Sequence, residues 1–259
     1  MHTGQLAVVG RLVVVVALLG AVGAAAWGIA QLAKAPGLDA AEIPALRVTP
    51  AAVQPGVATP AAPGMQPQAA SSQDAVGDWA DRVASKVDIP ARALRAYGVA
   101  DLTMRSEAPG CQVSWATLAG IGRVESDHGR FGGAALGADG RPSKAIIGVP
   151  LNGSGGVRLI GDTDGGALDG DTTHDRAVGP MQFIPSTWAK WASDGDGDGR
   201  ADPQDMDDAV LAAGRYLCAG GRDIGTPQGW WAAVLSYNNS VDYAQRVFGV
   251  ADFYARHSL

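Results

Sequence analysis

Apolar positions follow two unlike patterns along this chain. Residues 12–30 form one uncharged, almost wholly apolar run, whereas from residue 74 onward apolar residues recur at three- and four-residue steps. As a helix the first run would span about 28 Å, close to the hydrocarbon thickness of a bilayer, which predicts a membrane segment within residues 1–34. Ala24, Ala25 and Ala26 lie inside the run, which also exceeds a usual signal-peptide core, so an uncleaved anchor is favoured over a signal segment. Arg11 and Lys34 flank the run almost symmetrically, but the short tail ahead of Arg11 makes the N-inside topology the easier one. The bulk of the chain is then expected outside the cytoplasm, on a single-pass cell-membrane anchor, or secreted if that segment is cleaved. Residues 35–73 turn to Ala, Pro, Gly, Val and Gln with few charges, a composition that cannot assemble a core. They read as a disordered linker, extended by its prolines.

Residues 74–259 read mainly as helices. Trp79, Val83 and Val87 share one face of a helix over 74–87, and Asp88-Ile89-Pro90 caps and opens another through Tyr97. Ser114 is placed to cap a helix that ends at Glu125. Asp207 and Asp208 suit the start of a helix with an apolar stripe of Val210, Ala213 and Leu217, stopped by Gly220-Gly221. Thr226-Pro227 opens the next, which carries Trp231, Val234, Leu235 and Asn238, and Ser240 begins a last one through Phe248, closed by Gly249. Between Phe131 and Gly179 the pattern breaks into glycine-rich segments with β-favouring runs at 145–149 and 157–160, joined by Asn152-Gly153-Ser154-Gly155-Gly156. These predict a small hairpin, placed by chain order to wall the cleft that Glu125 faces. The fold class is mainly α.

A length of 259 residues allows one sizeable domain with appendages, and a net charge of −6 carries no basic bias toward nucleic acid. Cys111 and Cys218 are the only cysteines and fit no metal-ligand spacing, so in an exported chain they are expected to form one disulfide.

The chemistry centres on Gly122-Arg123-Val124-Glu125-Ser126-Asp127-His128-Gly129. Helical steps back from Glu125 reach Ile121 and Leu118, so its carboxyl leaves the face that packs inward. Burial disfavours the carboxylate, raising the pKa toward the range where it donates a proton near neutral pH. A second motif, Asp194-Gly195-Asp196-Gly197-Asp198-Gly199-Arg200, sets alternate acids around one point with a glycine at the sixth position, which suits Ca2+, with the Arg200 carbonyl as a further ligand. Asp205 stands at position twelve as the closing acid, with Asp208 as its rival. Such a site is structural rather than catalytic, since its ligands would all serve the ion.

Two further segments complete the set: Gly179-Pro180-Met181-Gln182-Phe183-Ile184-Pro185-Ser186-Thr187-Trp188, and Ser236-Tyr237-Asn238-Asn239-Ser240. In that order the motifs resemble the lytic murein transglycosylases of the B type, within the lysozyme-like superfamily, in an actinobacterial-looking, membrane-anchored form. The resemblance covers about residues 75–255, including 89–94. It implies a lysozyme-like helical domain at 74–259 with a β-hairpin insertion and an EF-hand-like calcium loop. It also implies Glu125 as sole catalytic acid/base, with Gln182, Phe183, Tyr237 and Asn238 lining a sugar groove. Ser126 joins that set, although its ordinary task is local backbone hydrogen bonding. The family pattern puts the closing calcium ligand at Asp208, just before Ala209-Val210.

Glycosidases normally use two carboxylates, and only Glu125 has the right setting here, with Asp162, Asp164 and Asp175 left open as a second partner. One acid suffices if the substrate supplies the nucleophile. N-acetylmuramic acid has an acetamido oxygen and a C6 hydroxyl, so the expected reaction on peptidoglycan glycan strands closes a 1,6-anhydro ring. The alternatives are a hydrolytic muramidase and a non-catalytic, calcium-stabilised wall-binding module. Desolvating a carboxyl group gives a pure binder nothing, which disfavours the last.

Overall fold

The computed structural model describes residues 73–258. The apolar run at 12–30 and nearly all of the linker lie outside the described residues, and among those described no helix is long and apolar enough to cross a membrane. The described part is mainly helical: α1 (Gln73–Val87), α2 (Ala91–Glu107), α3 (Trp115–Ser126), α4 (Pro185–Trp191), α5 (Met206–Leu217), α6 (Pro227–Tyr237) and α7 (Val241–His257), with a sheet of β1 (Ile147–Pro150) and β2 (Arg176–Val178). Caps set many boundaries. Ser114, Thr226 and Ser240 accept from the backbone N–H of Thr117, Gly229 and Tyr243, and Pro227 occupies the first turn of α6.

Helix α3 is the centre of the core. Trp115, Leu118, Ala119, Ile121 and Val124 are all buried, and the helix packs most extensively on α7 and also on α2. Its glycines make this possible. A Cβ at Gly120 would come within 2.9 Å of the Val247 carbonyl and 3.2 Å of Ala251 Cβ, and one at Gly122 would fall on the Tyr97 hydroxyl. The expected disulfide is present: Cys111–Cys218 joins the α2–α3 connection to the end of α5.

Two helices outrun their expected ends. Helix α2 continues to Glu107 because Gly98 does not stop it; a Cβ there would approach Trp79 to 2.8 Å, so this glycine seats α1 on α2. Helix α7 runs through Gly249 to His257, since Val250, Ala251, Tyr254 and Ala255 prolong its buried stripe. The expected hairpin is also re-paired. β1 joins antiparallel to β2, with Ile147 opposite Val178, while 157–160 contributes only an isolated bridge from Leu159 to Asn152. Burial explains the choice, because Val178 is fully buried and Leu159 is 71 % exposed.

Two mid-helix glycines should therefore respond oppositely to alanine. Gly77, with open space around its position in α1, should gain about 0.5–1 kcal/mol from helix propensity as Gly77→Ala. Gly120→Ala should instead lose about 1 kcal/mol or more, because the α3–α7 contact must open. Urea denaturation of both variants measures the contrast.

Candidate active site

Glu125 stands on the last turn of α3, half-buried. The Tyr243 hydroxyl, on the first turn of α7, donates to Glu125 Oε1 at 2.6 Å. Burial pushes the carboxyl up to about 7, against the opposing pull of that hydrogen bond. Burial and the Glu125 charge raise the Tyr243 phenol well above its ordinary value, so it stays a donor. Oε2 has no protein hydrogen-bond partner among the described residues.

The chain reverses sharply after Ser126. Asp127 is left-handed (φ 52°) and its carboxylate pairs with Arg123 and with Arg130, the latter at 2.9 Å. Ser126 does not face the cleft as expected. It is fully buried, its hydroxyl donating to the Pro180 carbonyl at 2.6 Å and accepting from Gly129 N–H at 2.8 Å. The bland role of local hydrogen bonding is its role here, extended across the chain to the Gly179–Phe183 turn.

That turn forms one side of a groove of about 410 Å³, lined among others by Gln182, Phe183, Tyr216, Tyr237 and Asn238. Gln182 is left-handed (φ 51°) and its amide donates to the Gly179 carbonyl at 3.0 Å. Phe183 belongs to core and groove together, its ring edge-on to Trp188 and Tyr237 at 5.6 and 5.8 Å. Tyr237 donates to the Met181 carbonyl at 2.7 Å, and the Glu125 charge is among the causes that raise its phenol pKa, after burial. Four of the five expected sugar-contact residues thus line one groove. Leu151, Val157 and Ile160 from the glycine-rich insertion supply the facing wall. Tyr216, Tyr243 and His128 were missed by sequence reading; each is an aromatic at ordinary helical or turn spacing whose partner lies far along the chain.

The other acids are engaged elsewhere. Asp175, weighed as a second catalytic carboxylate, is buried and accepts from Thr163 N–H at 2.8 Å and its hydroxyl at 2.7 Å. Asp162 and Asp164 accept backbone N–H groups of the same loop, and no carboxylate is among the causes of the Glu125 shift. In the acidic loop, Asp194, Asp196 and Asp208 each bring one oxygen within 4.8 Å of the others. Asp208 joins this group through its bonds from Gly195 and Asp202 N–H, whereas Asp205 caps α5 by accepting from Asp207 N–H at 2.9 Å and lies 3.7 Å from Arg141. Asp198 accepts from Arg200 N–H at 2.8 Å and stands outside the three-oxygen group. Of the rival closing acids, the one at position fifteen is grouped.

Residues 174–233 match the family model described as the Transglycosylase SLT domain. The matched segment runs from β2 through the groove turn and acidic loop into α6; it stops short of Tyr237 and does not include Glu125. Over that stretch it supports the transglycosylase resemblance. Neither curated proteins nor solved structures gave a match to this chain.

Glu125 should make the folded state costly at high pH. Its folded pKa of about 7 lies above the unfolded value of about 4.3, so the wild-type protein gains stability as pH falls through 7 and the gain is complete near 4.3. Glu125→Gln lacks that dependence. At pH 8 it should exceed the wild type by about 1–2 kcal/mol, a figure discounted for partial exposure, and the advantage should vanish near pH 4.5 in denaturation measured across pH.

Proposed function

We propose that this protein is a peptidoglycan lytic transglycosylase, cleaving the β-1,4 bond between N-acetylmuramic acid and N-acetylglucosamine with Glu125 as single acid/base. The observation that carries the reading is a half-buried carboxyl at the end of α3 held by one tyrosine, while Asp162, Asp164 and Asp175, the rivals for a second carboxylate, are bonded within their own loop. Hydrolases of either stereochemistry place a second carboxylate about 5–10 Å away. The match at 174–233 and the aromatic and amide groups of the groove support glycan as substrate.

In this reading protonated Glu125 gives its proton through Oε2 to the glycosidic oxygen, and the bond from C1 of muramic acid to O4 of N-acetylglucosamine breaks, the latter leaving with a free 4-hydroxyl. The acetamido oxygen shields the positive charge developing at C1. Tyr243 steadies the new carboxylate through Oε1. Glu125 then takes the C6 hydroxyl proton as O6 bonds to C1, which closes the anhydro ring, restores the acid and consumes no water.

Asp194, Asp196 and Asp208 are proposed to hold a structural Ca2+, for which converging carboxylates on a glycine-rich loop are the appropriate donors. The ion's role would be to join the loop to α5. The run at 12–30 is proposed to anchor the domain, with catalysis outside the cytoplasm; the Cys111–Cys218 disulfide supports an oxidising compartment.

On purified sacculi, Glu125→Gln should lose at least 10²–10⁴-fold in cleavage while still binding glycan. Released muropeptides should end in 1,6-anhydro-N-acetylmuramic acid by mass spectrometry; reducing ends labelled from 18O-water as the main product would make the enzyme a muramidase. The alkaline limb of kcat/KM should fall near pH 7 and move upward in Tyr243→Phe, because the hydrogen bond removed is one that lowers the Glu125 pKa. Calcium should raise the melting temperature of the wild type and not that of Asp196→Ala; an unchanged melting curve after chelation would reduce the loop to an acidic turn.

A further inference from the structure

We infer that the buried bridge Tyr97–His128–Tyr254 is a positioning device for Glu125, fixing the helix end from which its carboxyl projects. The inference rests on the reading of Glu125 as proton donor and adds three residues that the groove and the acid do not include.

The bridge begins with backbone strain. Asp127 and His128 follow one another in the left-handed region, φ 52° and 58°, where side chains are disfavoured and glycine is the usual occupant. Such strain persists only where the surroundings over-determine it. His128 N–H donates to the Gly122 carbonyl at 3.0 Å and Asp127 N–H to that of Arg123 at 3.1 Å, so the strained pair closes α3 directly beyond Glu125. A glycine would adopt this turn without strain. What it lacks is a ring.

The His128 ring is fully buried, with Nδ1 at 3.0 Å from the Tyr97 hydroxyl on α2 and Nε2 at 3.0 Å from the Tyr254 hydroxyl on α7. Burial, together with Arg123 on α3 and Arg130 beyond it, holds the imidazole well below its ordinary pKa and therefore neutral. A neutral ring has one donor and one acceptor, so it donates to one tyrosine and accepts from the other, and every polar atom of the bridge is matched. Gly122 is a condition of the contact, since a Cβ there would fall on the Tyr97 hydroxyl.

The bridge and the acid share one support. Tyr243, which holds Glu125, and Tyr254, which holds His128, lie about three turns apart on α7 and within about 20° of one face. One face of α7 thus grips the end of α3 at two points. Loosening the His128 grip frees the last turn, and Glu125 gains solvent and shifts from its place. Simple filling of the core would need no hydroxyl.

The chain contains three glutamates, Glu42, Glu107 and Glu125, so glutamate labelled with 13C at the side-chain carboxyl gives three NMR titrations, with Glu125→Gln identifying the one of interest. In Tyr97→Phe and Tyr254→Phe, which keep each ring and remove only the hydroxyl, the Glu125 midpoint should fall by about one pH unit from the wild-type value. On sacculi, kcat should fall about tenfold with KM little changed, as expected for misplacement of a reacting group. His128→Gln, which keeps a donor and an acceptor, should retain more activity than His128→Leu. A lowered melting temperature with the Glu125 midpoint and kcat both at wild-type values in the two tyrosine variants overturns the inference. The NMR midpoint needs no turnover: if Glu125→Gln still cleaves glycan, the proton-donor reading falls while the bridge is judged separately.

Discussion

Complete enclosure of α3 is the constraint on which the rest of this structure depends. Trp115, Leu118, Ala119, Ile121 and Val124 leave the helix no solvent face, so a charge on it has no water to lean on until the helix ends. Glu125 occurs at that end. The environment that makes the helix a core element also lifts the carboxyl to about 7, so the stability of the fold and the acidity of the site arise from one act of burial. The site opposes the fold slightly at high pH, as expected where function requires a group in a setting that packing alone would not select.

Enclosure requires close approach, and the glycines of α3 permit it. Gly120 lets α7 come up to the helix and Gly122 admits the Tyr97 hydroxyl. With α7 that near, Tyr243 meets the acid directly. Ser126 then joins the helix end to the Pro180 carbonyl, and Tyr237 fixes the same turn through Met181, so the groove wall and the end of α3 are held by overlapping bonds. A groove assembled this way has little freedom to drift from the end of α3, to which its turn is bonded.

The acidic loop is a separate unit serving the same end. Asp208 ties Gly195 and Asp202 to the start of α5 while Asp207 pairs with Arg92 of α2 and Asp205 caps the helix, so three nearly adjacent aspartates perform three tasks. Burial raises the Asp208 pKa, the hydrogen bonds from Gly195 and Asp202 N–H oppose it, and the neighbouring charges of Asp196 and Asp194 add to the rise.

The sequence by itself determined the helical class, the capped starts at Ser114, Thr226 and Ser240, the disulfide, and the inward placement of Glu125. All but the disulfide are local or follow from a periodicity of three and four residues; the disulfide followed from there being two cysteines in a chain expected to be exported. Tertiary structure decided what depends on partners distant in the chain. Gly249 read as a stop and Gly98 lies just past the expected end at Tyr97, yet both lie within helices, because burial of the flanking residues outweighs their poor propensity. β1 took the buried partner at 176–178 over the nearer exposed run, Asp208 rather than Asp205 joined the acid cluster, and Ser126 went to the backbone rather than to the groove. Tyr243 lies 118 positions from Glu125 and Tyr254 lies 126 from His128, and no spacing rule spans such distances. Those pairings exist only once α7 has closed on α3.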